Sequence, residues 1–200
     1  MNVEEKPSIR VIRWGEAKAM PWKNGGGVTH EIAVFPVGAT FETFDWRLSM
    51  AEVAADGPFS AFAGIDRTLA LMDGAGIDLD FGDGRRERVD GPGALCRFDG
   101  GAACSGYLVD GPILDLNVMI RRGRLAHDLV PVSVTVAGQD LSDVTAVICH
   151  TGSIAIKTAA GEVVLDARDV LICGSVSRIW CRNAAEAGAM AYVLRIRNVT

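Results

Sequence analysis

Along most of this chain apolar and polar residues alternate in short runs, each closed by a glycine-rich turn. The clearest case is Trp46-Arg47-Leu48-Ser49-Met50, where every second side chain is apolar. A period of two is that of a half-buried β-strand, because successive side chains point to opposite faces. On this pattern strands are predicted at 9–14, 29–35, 46–53, 68–72, 77–81, 94–98, 114–120, 132–136, 144–149, 154–158, 162–165, 170–173 and 190–197. Helical spacing of apolar residues is almost absent. Many short strands punctuated by 23 glycines describe an all-β sandwich or barrel.

A weak internal repeat runs through the pattern. Gly76-Ile77-Asp78-Leu79 through Gly84 can be laid over Ser153-Ile154-Ala155-Ile156 through Gly161, with apolar positions and turn glycine coinciding. After a one-residue gap, Gly93-Ala94-Leu95 falls on Asp169-Val170-Leu171. Two halves of one design are expected, an N-terminal half at 8–123 and a C-terminal half at 124–200. The charged segment from Arg121 to Pro131 is the expected crossover between them. With no long linker, the halves are expected to pack together as one unit.

Composition narrows the function classes. Hydrophobic residues make up 49% and charged residues 22% of 200, which argues against disorder. No apolar run reaches membrane-spanning length, and Met1 to Pro7 does not read as a secretory signal, so a cytoplasmic protein with no membrane partner is expected. The net charge of −5, without a Lys/Arg cluster, disfavours nucleic acid, whose binding rests on phosphate neutralisation. A small metabolite suits this surface better. The five cysteines are odd in number and widely spaced, and read as reduced core residues. His30, His127 and His150 are scattered without metal-ligand spacing, and no nucleotide fingerprint occurs, so neither metal nor cofactor is expected.

Three places carry unusual chemistry. Met20-Pro21-Trp22-Lys23-Asn24-Gly25-Gly26-Gly27-Val28-Thr29 joins an aromatic plane, a cation and an amide to three glycines. It reads either as an anion-binding nest with Trp22 as a stacking face, or as a turn entering a strand. Arg47 and Ser49 share one strand face; facing a barrel interior, Arg47 needs a carboxylate or a ligand, and facing outward it is solvated. Asp115 and Asn117 project together from an otherwise apolar run, available to pair with Arg47 or Lys23, to meet a ligand, or to close a sheet edge. Asp56 to Ser60 and Gly64 to Thr68 read as turns, with Arg67 a lesser candidate cation.

Taken together, Met20 through Gly27, Trp46-Arg47-Leu48-Ser49, Asp56-Gly57-Pro58-Phe59-Ser60, Asp66-Arg67-Thr68-Leu69 and Asp115-Leu116-Asn117-Val118-Met119 resemble the HutD/Ves family. The resemblance covers roughly residues 10–125, with a cupin-like rhythm beyond. It implies a bicupin fold and an association with bacterial histidine utilisation, as an accessory or regulatory binding protein rather than an enzyme. It also implies a pocket for a small carboxylate such as urocanate, formylglutamate or formate, held by Trp22, Lys23, Asn24, Arg47, Ser49, Asp115 and Asn117. Metal-binding cupins carry two histidines and a glutamate in a first motif and another histidine in a second. Here Cys96 stands about where the last would be, so the pocket is read as metal-free. Two rivals are a metal-independent cupin enzyme, an isomerase or hydrolase with Asp115 or His30 as general base, and a stress-linked interaction protein with a vestigial pocket. Cupins often pair through sheet edges, which makes a homodimer the expected assembly.

Overall fold

The computed structural model describes residues 9–22, 25–158, 161–174, 178–185 and 188–199. No α-helix occurs among them; they form nineteen strands and one short 3-10 turn. No helix among the described residues is long and apolar enough to cross a membrane. The strands divide between two compact units, one of 9–16 with 127–197, the other of 17–126 with 198 and 199.

In the first unit a five-stranded sheet runs β1 (Arg10–Ile12), β17 (Val170–Ile172), β14 (Ala146–Thr151), β19 (Ala189–Asn198), β12 (Leu125–Val134). A four-stranded sheet runs β13 (Gln139–Ser142), β18 (Arg178–Asn183), β15 (Ser153–Thr158), β16 (Gly161–Asp166). One buried cluster of this unit is aliphatic and thiol, bringing Val147, Cys149, Ile154, Leu171, Cys173, Cys181 and Val193 together.

In the second unit a six-stranded sheet runs β2 (Lys18–Pro21), β3 (Gly27–Phe35), β4 (Trp46–Val53), β11 (Ile113–Arg121), β6 (Ile65–Asp73), β9 (Leu95–Asp99). Its four-stranded partner runs β5 (Gly57–Pro58), β10 (Ser105–Leu108), β7 (Ile77–Asp80), β8 (Arg86–Val89). The order β9-β6-β11-β4 repeats as β17-β14-β19-β12, and β5-β10-β7-β8 as β13-β18-β15-β16. The hairpins aligned in the sequence, β7–β8 and β15–β16, occupy the same place in the two units.

Three sequence expectations change. The first strand, assigned with the N-terminal half, pairs with β17 at Arg10↔Ile172, so the chain enters through the unit it later completes. The expected crossover from Arg121 to Pro131 is mostly strand, as β12 begins at Leu125. Its polar, half-buried pattern hides it, because an edge strand needs only one apolar face. Asp66 and Arg67, expected in a turn, lie within β6.

Candidate functional site

The six-stranded sheet arranges its side chains in rows. Arg47, Met119, Arg67 and Phe98 stand abreast on β4, β11, β6 and β9. The next row is Glu31, Ser49, Asn117, Leu69 and Cys96, and the one beyond is Thr29, Ala51, Asp115 and Leu71. Alternation puts all three rows on one face, while Leu48, Met50, Leu116 and Val118 are buried on the other. The polar faces of β4 and β11 therefore look the same way. Register shifts interrupt the ladder at Glu31/Ala33 and at Leu114/Asp115, beside two of these charged residues. Bulges re-aim side chains in this manner.

Over this face lies a cavity of about 480 Å³. Its polar lining includes Arg47, Ser49, Arg67, Asn117 and Thr29, and its apolar walls include Met20, Trp22, Phe41, Phe59, Phe62 and Met119. An apolar pocket with a few convergent polar groups is the usual form of a small-molecule site.

Arg47 is 4% exposed. Its Nε donates to Glu31 Oε2 at 3.0 Å and its Nη1 to Ser49 Oγ at 3.1 Å, while Nη2 is buried with no hydrogen-bond partner among the described residues. The guanidinium also lies 5.0 Å from the centre of the Phe41 ring. A buried guanidinium N–H without an acceptor is costly, so this atom is set up for an acceptor that enters the cavity.

Arg67 is held differently. Nε and Nη2 both donate to Asn117 Oδ1, at 2.8 and 2.5 Å. Its planar group sits between Phe59 and Phe98, 4.8 and 5.3 Å from their ring centres. Burial lowers its pKa, against the opposing pull of Asp115. Asn117 donates through Nδ2 to Asp115 Oδ1, and both ends of its amide are thereby assigned. Asp115 is fully buried, and burial pushes its carboxyl up to about 7 against the pulls of Arg67 and the Ala51 backbone N–H. Its Oδ2 has no hydrogen-bond partner among the described residues.

Trp22 forms a wall, its Nε1 donating to Thr29 Oγ1 at 2.8 Å. The loop beyond it closes on itself: Trp22 N–H donates to Gly27 O at 2.9 Å and Gly25 N–H to Trp22 O at 3.1 Å. Gly25, with a φ of 72°, gives its N–H to this turn. Neither Gly25 nor Gly26 lines the cavity. Lys23 and Asn24 lie outside the described residues.

The structure thus brings Trp22, Arg47, Ser49, Arg67 and Asn117 to one cavity and sets Asp115 beneath it. Asp115 does not pair with Arg47, as the sequence allowed; it reaches Arg67 through Asn117. His30 is turned away, its Nε2 2.8 Å from Glu52 Oε1 on the opposite face, and drops out as a base in this cavity. Sequence reading missed Glu31, Met119 and the phenylalanines. Met119 was legible, sharing the alternate positions of Asp115 and Asn117; Phe41 and Phe62 sit in loops that carry no such signal. Cys96 is buried in the second row, its thiol pushed up to about 11 by burial, and no cluster of three metal-ligating side chains occurs among the described residues.

Comparison with known proteins places this geometry. An uncharacterized 21.2 kDa protein in the hutC 3′ region of Pseudomonas putida is 37% identical over 111 residues, 56% of this chain and 57% of that protein. Protein Ves of Citrobacter koseri is 34% identical over 117 residues, 56% of this chain and 60% of its own length. The chain thus matches somewhat under two thirds of these relatives. Among solved structures, a conserved protein of unknown function from Pseudomonas aeruginosa PAO1 superposes with a TM-score of 0.84 at 28% identity, over 95% of this chain and 99% of that one. HutD from Pseudomonas fluorescens SBW25, in a formate condition, superposes at 0.76 and 28%, over 95% and 100%. An oxalate decarboxylase from Lactobacillus farciminis, 8% identical at a TM-score of 0.66 over 94% and 88%, shares the fold, and the architecture is a bicupin. The HutD family model spans residues 15–191, taking in strands of both units, and the chain belongs to the HutD family.

Proposed function

We propose that the cavity binds a small carboxylate metabolite of histidine utilisation, such as urocanate, formylglutamate or formate, without a metal, and that the protein acts in an accessory or regulatory role. The observation that carries this reading is the buried Nη2 of Arg47, without a hydrogen-bond partner among the described residues, on a side chain that lines the same cavity as Arg67. A carboxylate satisfies such donors with charge-assisted bonds, and few other small groups do so as well. The walls of Trp22, Phe41, Phe59 and Phe62 favour a planar or unsaturated body, and formate alone would fill little of the volume. Support for the pathway comes from the family and from the relative in the hutC 3′ region.

The catalytic rival loses its best base. Asp115 has a suitable pKa, but a general base must reach the proton it takes. Its carboxyl is fully buried and does not line the cavity. Calorimetric titration of the chelator-treated protein with urocanate, formylglutamate, formate and histidine tests the proposal, followed by analysis of each compound for chemical change. Binding without conversion supports it; no binding, or turnover, overturns it.

A further inference from the structure

From the cavity lining a chain of three polar side chains leads into the apolar interior: Arg67 and Asn117 both line the cavity, and Asp115 lies behind Asn117 at the end. We propose that a carboxylate is held in the cavity with Asp115 in its neutral form, so that wherever Asp115 is ionised in the free protein each anion bound brings one proton with it, which resides on Asp115. The proposal rests on the carboxylate reading of the cavity and adds what governs its affinity.

The geometry argues as follows. Asp115 has no exposed surface, and its row neighbours are Ala51 and Leu71. One carboxyl oxygen takes the Asn117 amide N–H, the Ala51 backbone N–H also favours the charged form, and Oδ2 has no hydrogen-bond partner among the described residues. A charged carboxylate so placed depends on Arg67 for its stability, since burial of an uncompensated charge is costly. The groups facing it from the strands packed around it are few among the described residues. β4 supplies Arg47, which is engaged by Glu31 of β3 and by Ser49; β6 supplies Arg67. The thiols of Cys96 on β9 and of Cys104, just before β10, are the other titratable groups at this core, and burial keeps both in the neutral form. Arg67 is therefore the main compensating charge among the described residues, and Asn117 bridges it to Asp115.

An anion on Arg67 removes that compensation and places a second negative charge behind one amide. The neutral acid then becomes the favoured form of Asp115. No bond is made or broken other than the O–H of Asp115, whose proton comes from solvent. Asn117, in contact with both, is a positioning residue: its carbonyl oxygen keeps Arg67 aimed and its N–H ties Asp115 to the same unit. Binding and protonation are reciprocal by linkage, so affinity falls by as much as about tenfold per pH unit once Asp115 ionises in the free protein.

Formate is the probe, because its own carboxyl stays ionised throughout the range of about pH 6 to 9. Titrating the protein with formate in two buffers of different ionisation heat gives the protons taken up per anion. Close to one proton is expected near pH 8, and affinity should weaken steeply above about pH 7. Asp115→Asn should bind formate with pH-independent affinity and no proton uptake. Formate binding with no proton uptake, or with uptake unchanged in Asp115→Asn, overturns the proposal while leaving the carboxylate site standing. Failure of every carboxylate to bind at any pH overturns both. Should the variant not fold, the carboxyl carbon resonance of Asp115 in the native protein decides: its titration midpoint must rise on adding formate, and an unmoved midpoint refutes the coupling.

Discussion

Arg47 and Arg67 face each other across Met119, each paired with that residue in register, on the strands to either side of it. Two cations thus share one row, and the rows beside it carry Glu31, Ser49 and Asn117, then Thr29 and Asp115. Each is tied to a different acidic group, Arg47 directly to Glu31 and Arg67 through Asn117 to Asp115. The first link is half exposed, the second wholly buried, and the two arginines should answer differently to mutation.

Arg47→Ala should leave the fold intact, because Glu31 retains access to water, yet weaken carboxylate binding by roughly 2–4 kcal/mol, as loss of a buried charge partner does. Calorimetry against urocanate and formate, with a thermal melt as control, checks this. Unchanged affinity would remove Arg47 from the site.

Asn117→Ala acts first on stability. It leaves Arg67 and Asp115 without their shared partner, and unfolding in urea should show a loss of about 1–3 kcal/mol, the cost of stranding buried polar groups. Arg67→Ala should be milder at low pH than at high, since only there is Asp115 content as a neutral acid.

The pH dependence of stability has a definite sign. Asp115 holds its proton to about 7 in the folded chain against 3.8 ordinarily, so its contribution is complete below about pH 4 and is lost as pH rises through about 7. Urea midpoints of the protein relative to Asp115→Asn should therefore decline across that window and level off above it. A difference that is flat with pH would contradict the burial-driven shift.

Gly27→Ala should unseat the tryptophan wall. A Cβ at Gly27 would lie 2.3 Å from the Glu52 carbonyl oxygen and 3.1 Å from Trp22 Cε3. Overpacking of this kind costs about 1–3 kcal/mol. Trp22→Ala, by contrast, should weaken urocanate more than formate, because only an extended planar ligand uses the ring; tryptophan fluorescence and calorimetry together separate the two effects.

The five cysteines should resist alkylation in the native state. All are free and buried, and burial pushes Cys96 and Cys181 up to about 11 and Cys149 and Cys173 up to about 12. The thiolate is the nucleophile, so iodoacetamide at neutral pH should label them only after denaturation, as mass spectrometry would count.

Strand alternation alone revealed that Arg47 and Ser49 share a face, and likewise Asp115 and Asn117. It could not say that the two faces coincide, because that depends on β11 lying between β4 and β6, a matter of strand order. The same gap hid the partner of Asp115: sequence distance offers Arg47 and Lys23 equally with Arg67. Arg67 itself was masked by its neighbours, since Gly64 and Asp66 give the local appearance of a turn, while the strand it belongs to is declared only by Thr68 to Met72. Short polar strands such as β8, whose Arg86-Glu87-Arg88 is exposed, carry no apolar period to detect. Their strand form comes from ladder bonds to β7, which no local pattern encodes.

One strand order used twice gives two scaffolds under separate selection. Where the interior is Val147, Leu171 and Val193, a new charge would find no counter-ion, and drift there is confined to exchanges among aliphatic side chains. In the other copy the tie between Arg67, Asn117 and Asp115 already accommodates charge, so the neighbouring apolar position Met119 should accept a polar side chain without loss of folding. Ligand preference across relatives should accordingly vary at Met119, while the aliphatic cluster of the other unit changes slowly and keeps the chain foldable as its twin is retuned.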